Sequence, residues 1–380
     1  MFLALRELAY AKGRFSLMGA VIALIAILSV MLSGMSAGLV NDGVSGLKSM
    51  PASAFAFDEG TKTDNAFSRS MLEMEQIDIW SGQPGIQSAQ PMGSSMANGV
   101  INDGAQVDVA LFGVASDSFL SPEVSEGSRL GKVDGIVVSD TLRKEGVELG
   151  TVLTLDRLDT QLTVIGFTQG QATFGHVDVA YLPLQTWQLI ASGRAPEGAP
   201  TQNDIDKLDF DYASVAALQF VPGSAPPLSD GDAAASTTSM ELSEAFNASP
   251  GYQAETTTLN MIQTFLYAIC ALVVGAFFSV WTIQRKQEIA VMRAMGAPVG
   301  YLLRDGIAQA AILLVGFTFI GLAAGLGLGM LMPTGVPFSL EGGPIAVATG
   351  LSIALGLLGA AVSIVRIAKV DPLTALGGNR

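Results

Sequence analysis

Four stretches of this chain run without a charge for longer than a bilayer is thick. Residues 15–41 carry none before Asp42, and the windows 256–284, 306–340 and 342–365 hold 29, 35 and 24 uncharged residues. About 20 apolar residues suffice for a helix to cross the hydrocarbon core. The pattern therefore predicts spans over 15–41, 256–284, 301–332 and 345–365, with an outer loop at 333–344. Small residues after the first apolar run (Ser33, Gly34, Ser36, Ala37, Gly38) imitate a signal-peptide cleavage site. The run itself, about 17–32, is longer than an h-region of roughly 7–15 residues, so it reads as an uncleaved anchor.

Between the first and second spans the periodicity changes to that of a folded α+β domain, expected over 42–255. Alternating, β-branched-rich runs predict strands at 107–114, 135–138, 151–155, 161–167, 177–182 and 213–220. Residues 139–146 read as a short capped helix. Residues 192–206 and 222–239, rich in Pro, Gly, Ala, Ser and acids, read as loops or linkers. His176 stands just before a strand and reads as a solvated loop histidine rather than a ligand.

Composition narrows the class. Hydrophobic residues make up 49% of the 380, only 14% are charged, and mean hydropathy is +0.46, as in a membrane protein. One cysteine, Cys270, and one histidine, His176, leave no disulfide framework and no His- or Cys-based metal cluster. The net charge of −14, against nucleic-acid binding, is unevenly spread. The short flanks at 1–14, 285–305 and 366–380 net about +6, while the rest, essentially 42–255, nets −20. The positive-inside rule then places both termini in the cytoplasm and the large domain outside the plasma membrane.

Within the spans, Gly34 and Gly38 form a G-x-x-x-G pair, and Gly321, Gly325 and Gly329 repeat every four residues, so both sets read as surfaces for close helix packing. The same Gly34–Gly38 segment matches G-x-S-x-G, but a hydrolase elbow needs a strand-to-helix turn and a triad histidine, and that reading is discarded. Met31 and Met35 sit one turn apart. They fit two roles, packing or lipid-facing methionines, or soft thioethers offered to a flat apolar ligand or a haem iron. Apart from Arg304 and Asp305 at the start of 301–332, no span carries an acid or base, which argues against a proton-coupled pump or an ion channel.

Residues 285–298 interrupt this apolar half with Arg285, Lys286, Glu288 and Arg293. Ile289, Met292 and Gly296 fall on one side of a helix that Gly296 and Pro298 would stop. An ordinary basic loop and a docking helix for a soluble partner both fit. Residues 1–14 likewise fit either an interfacial helix or a plain basic flank. The nearest phosphate-loop imitation, 127–133, has the wrong spacing and lacks the Ser/Thr after its lysine, so ATP hydrolysis would belong to a separate subunit.

The order of one span, a large domain and three closing spans, with the 285–297 motif and the Asp371-Pro372 tail that ends at Leu376, resembles the FtsX/MacB-type (type VII) permeases of ABC transporters. The stretches 2–8 and 38–47 are most similar to the HrtB branch of haem-exporting permeases. This resemblance implies a homodimeric permease pairing with two ATPase subunits that bind ATP, and no permanently bound cofactor. It implies a cytoplasmic coupling helix at 285–298, with Arg285, Lys286, Glu288, Ile289, Met292, Arg293 and Gly296 engaging the ATPase. It also implies haem as cargo, with Met31, Met35 and, more weakly, Tyr267 near it. A lipid or antimicrobial-peptide cargo, or a non-transporting regulator of a cell-wall hydrolase, stays open as an alternative. The tail at 366–380 completes the expected layout.

Overall fold

The structure is a computed structural model that describes residues 12–101, 104–209, 211–284, 287, 291–292, 295–333 and 336–368. The interfacial-helix reading of 1–14 and the tail reading of 366–380 fall largely outside these residues. The chain divides into two compact units, Val40–Glu255 on one hand and the residues before and after it on the other.

The membrane-type unit is built from four long helices: Lys12–Lys48, Tyr252–Gln284, Val299–Met330 and Gly342–Ala368. All four have stretches long and apolar enough to cross a membrane by length and composition. All four run past an expected span end, the first two by the most. The first continues to Lys48, with non-helical backbone at Val44, and the second begins at Tyr252, directly after Gly251 in a left-handed conformation. Hydrocarbon offers backbone amides no water, so helices that satisfy their own hydrogen bonds are the natural solution for such segments.

The packing of these helices is close. Phe15, Met18, Ile22 and Ile25 of the first helix share a core with Cys270, Val274 and Phe278 of the second, Leu313 and Leu314 of the third and Ala360 of the fourth. Glycine is required where backbones nearly touch. A methyl group at Gly321 would stand 2.4 Å from the Ala23 carbonyl oxygen, and one at Gly359 would stand 2.2 Å from that of Ala271. Ser363 extends the second contact by donating its hydroxyl to the Gly275 carbonyl at 2.7 Å.

The other unit is an α+β domain around an 11-stranded mixed sheet. Its main path runs Thr237–Glu241, Ala54–Asp58, Val215–Phe220, Ile86–Val100, Gln106–Val114, Val177–Pro183, Gly135–Val138, Gln161–Thr168 and Val124–Gly127. Val177–Pro183 is parallel to Gln106–Val114, and Gly135–Val138 is parallel to Gln161–Thr168. One face buries Phe55, Phe57, Phe67, Phe112, Phe174 and Tyr181, whose rings meet edge to face at 5.1–5.8 Å. Such pairs add roughly 0.5–1.5 kcal/mol each beyond their burial.

Two strands escape the alternation rule. Ile86–Val100 carries Pro91, Gly93 and Gly99, yet its glycine at 93 is needed because the Trp187 ring lies where a methyl would be, at 2.1 Å. The expected linker at 222–239 instead holds the helix Leu228–Ala235 and most of the strand Thr237–Glu241. Polar side chains order it. Asp232 accepts from Thr237 and Ser239 hydroxyls at 2.8 Å, and Trp80 Nε1 donates to Thr237 Oγ1 at 3.0 Å. The capped helix expected at 139–146 is a 3₁₀ turn, Asp140–Glu145; Ser139 accepts from the Ala172 amide instead of capping it.

Replacing Gly321 by Val should destabilise the helix packing by about 1–3 kcal/mol, the usual scale of overpacking. The same change at Gly327, where nothing lies within 4 Å, is the control. Thermal unfolding in lipid reads both, and equal melting temperatures would contradict the close contact.

Candidate functional site

Met31 and Met35 come together on one wall of an apolar groove of about 490 Å³. Leu28 and Leu32 share their helix face. The second helix supplies Ile262, Phe265, Leu266 and Ile269, at the spacing of a single helical face. Met332, Val336 and Phe338, from the segment after the third helix, complete it. Every lining side chain is apolar. Met35 and Phe265, 44% and 62% exposed, leave the groove open along its side.

Glycines shape one end of this groove. A methyl at Gly34 would lie 2.3 Å from the Phe338 ring, and one at Gly329 would lie 2.8 Å from it. At Gly38 the Pro337 carbonyl oxygen occupies that space at 2.3 Å. The Ser339 amide donates to the Gly34 carbonyl at 3.0 Å and pins the segment there. Within the chain, Gly34 and Gly38 thus receive a loop, where the G-x-x-x-G pattern alone suggests a second helix. Gly321 and Gly325 do face a helix, at Ala23, Ala26 and Val30.

The chemistry such a groove offers is narrow. An unpaired polar group placed in it would lose its hydrogen bonds to water, at a cost of roughly 1–3 kcal/mol or more. A flat apolar body loses nothing. The soft donors present are the thioethers of Met31, Met35 and Met332, which contact aromatic systems well and can ligate iron. Tyr267 does not line the groove; its hydroxyl accepts from Gln263 Nε2 at 2.8 Å on its own helix.

Of the residues expected to engage an ATPase, Arg285, Lys286, Glu288, Ile289 and Arg293 lie outside the described residues. Gln287, Val291 and Met292 are helical, and Met292 is half-buried. Gly296 takes φ +95°, and the Ala297 amide donates to the Met292 carbonyl at 3.1 Å. This left-handed glycine ends the turn before Pro298 starts the next helix.

His176 is a correction to the sequence reading. It is half-buried in the α+β domain, with Nδ1 3.1 Å from Asp42 and Nε2 2.9 Å from Glu255. The hydrogen bond to Asp42 and the charge of Glu255 raise its pKa above the ordinary histidine value, against the opposing effect of burial. Nearby, burial raises the Asp178 carboxyl, and hydrogen bonds from Ser139 and Thr141 partly offset this. The same domain holds a cleft of about 540 Å³ with Ser49, Glu123, Gln169 and Tyr181 among its lining. Burial pushes the Tyr181 hydroxyl upward there.

Sequence reasoning missed Met332, Phe265 and Phe338 in the groove, and it missed the partners of His176. A methionine directly before Pro333 was the available signal for the first of these.

Comparison with known proteins gives two family matches. The MacB-like periplasmic core domain matches residues 17–217, and the FtsX-like permease C-terminal domain matches residues 260–372. The chain is 25% identical to a protein assigned by name as the hemin transport system permease HrtB of Staphylococcus epidermidis, with 100% of both chains covered. An ABC transporter permease of Mycobacterium tuberculosis is 22% identical, over 100% of this chain and 99% of that one. The periplasmic region of MacB from Actinobacillus actinomycetemcomitans aligns with a TM-score of 0.36 at 14% identity, over 50% of this chain and 89% of that one.

Proposed function

Because the chain belongs to the FtsX/MacB-type permeases of ABC transporters, we propose that it is the membrane subunit of a haem-exporting efflux pump. The observation that carries this is the all-apolar, laterally open groove with three methionines. A hemin transport name on full-length relatives at 24–25% identity points the same way. Haem is a flat, largely apolar macrocycle with an iron centre, and it partitions into lipid. The groove would take it from the bilayer, its face against Phe265 and Leu28 and its iron within reach of a thioether.

In this reading the chain hydrolyses no ATP itself. Two copies pair with two cytoplasmic ATPase subunits, and the charge of the basic flanks, net about +6 against −20 elsewhere, supports having both termini on the ATPase side. Closure of the ATPases moves the segment around Glu288, Met292 and Arg293, and the first two helices carry the shift toward the outer domain as a rigid-body displacement. No charged side chain is needed inside the membrane, because the drive is mechanical. Export of a lipid or antimicrobial peptide would use the same machine with another cargo. A regulator of a cell-wall hydrolase would use it with none.

Two experiments test this. Haemin added to the purified chain in lipid should give a saturable Soret shift that Met31→Leu/Met35→Leu removes, since leucine keeps the volume and loses the sulfur. An unchanged spectrum in the double variant would exclude these two ligands, and no shift in the wild type would remove haem as cargo. Reversing charge at Glu288 and Arg293 should abolish stimulation of the partner ATPase while leaving membrane insertion intact. Undiminished stimulation would contradict the docking role.

A further inference from the structure

One side-chain cluster takes no part in the groove or the helix packing, and it centres on His176, the only histidine in the chain. The strands Thr173–Phe174 and Val177–Pro183 pair through Phe174 and Val177, so Gly175 and His176 are the two residues of a tight hairpin turn. Both have positive φ, 59° and 66°. Turns of this kind select Gly, Asn or Asp first, and histidine also tolerates the left-handed region better than most side chains. What it does there is make contacts that none of those residues can make together.

Its two ring nitrogens face carboxylates on two different helices. Nδ1 is 3.1 Å from Oδ2 of Asp42, which lies on the helix Lys12–Lys48. Nε2 is 3.0 and 2.9 Å from the two oxygens of Glu255, on the helix Tyr252–Gln284. A neutral imidazole has one N–H and one lone pair, so it can satisfy only one ionised carboxylate. An imidazolium donates at both ends. Around this trio, Asp178 is close enough to Asp42 for its charge to be felt, and Gln171 donates to Asp42 at 3.0 Å. A methyl at Gly43 would stand 3.6 Å from the ring's Cε1 and 3.7 Å from Tyr252 Cδ2. Lys144 acts on Asp178.

We propose that His176 is a protonation-controlled clamp. As imidazolium it ties the domain ends of the first two long helices, through Asp42 and Glu255, to one hairpin of the α+β domain; as neutral imidazole it releases one of them. All three residues belong to the same compact unit, so the clamp is internal to the domain. Its consequence for transport rests on the permease reading, since those two helices carry the stroke. Its existence does not.

The direction of its pH dependence follows from the raised pKa. The stabilisation is fully present below the unfolded-state value of about 6.5 and is lost as pH rises through the higher folded value. Acidic conditions thus lock the clamp, and alkaline conditions open it.

Because the chain has one histidine, isotope labelling of histidine in the full-length protein, carrying a tag without histidine and held in lipid nanodiscs, gives one unambiguous ring signal. We expect both nitrogens protonated at pH 6, and a titration midpoint lowered by Asp42→Asn and, separately, by Glu255→Gln. The wild-type melting temperature should fall by a few degrees from pH 6 to 9. His176→Asn suits the turn and therefore folds, but it should flatten that pH dependence. A neutral ring at pH 6, a midpoint that either carboxamide variant leaves in place, or an unchanged pH slope in His176→Asn would each overturn the clamp. These measurements need no haem and no ATPase, so failure of the haem reading leaves them intact, and their failure leaves the haem reading intact.

Discussion

Hydrocarbon contains no water to receive a charge or an unpaired amide, and this constraint organises the chain. Its four apolar windows are free of Asp, Glu, Lys and Arg, and its long helices satisfy their backbones internally. The charged side chains of these helices are displaced toward their ends. Asp42 and Glu255 lie at the domain ends of the first two helices, and the basic cluster of 285–293 joins the other end of the second to the third.

Inside the membrane-type unit, specificity is therefore carried by shape. Lipid tails are as apolar as leucine, so helices gain little by merely being hydrophobic and gain more by close contact. Gly321 against Ala23 and Gly359 against Ala271 provide it. The same device, at Gly34 and Gly329, seats Phe338 and gives the groove its end wall. A groove made this way has no hydrogen-bond donors with which to select a cargo, so thioether softness and flatness are what it can offer.

The spans were legible in the sequence because charge exclusion is a local property, visible in any window of twenty residues. The α+β class was legible for the same reason: strands such as 107–114 alternate or run apolar on their own. What was hidden depends on distant partners. Ile86–Val100 gives no strand signal of its own until Trp187 explains its glycine, and Thr237–Glu241 falls largely in an expected linker until Asp232 and Trp80 supply its hydrogen bonds. His176 reads as solvated because its partners are 134 and 79 residues away. Met31 and Met35 were visible as a pair, but Met332 and Phe338 join them only once the segment after the third helix folds back.

The central claim is that the apolar groove takes its cargo from the bilayer and gives it up under ATP hydrolysis. Its most direct test loads haemin into vesicles containing the permease with its partner ATPase and follows loss of haem from the lipid after ATP is added. Leu32→Trp, which fills the groove from its wall, is run beside the wild type. The account predicts ATP-dependent clearance that the tryptophan variant abolishes while still assembling with the ATPase. Clearance at the same rate in both, or none in either, would contradict it.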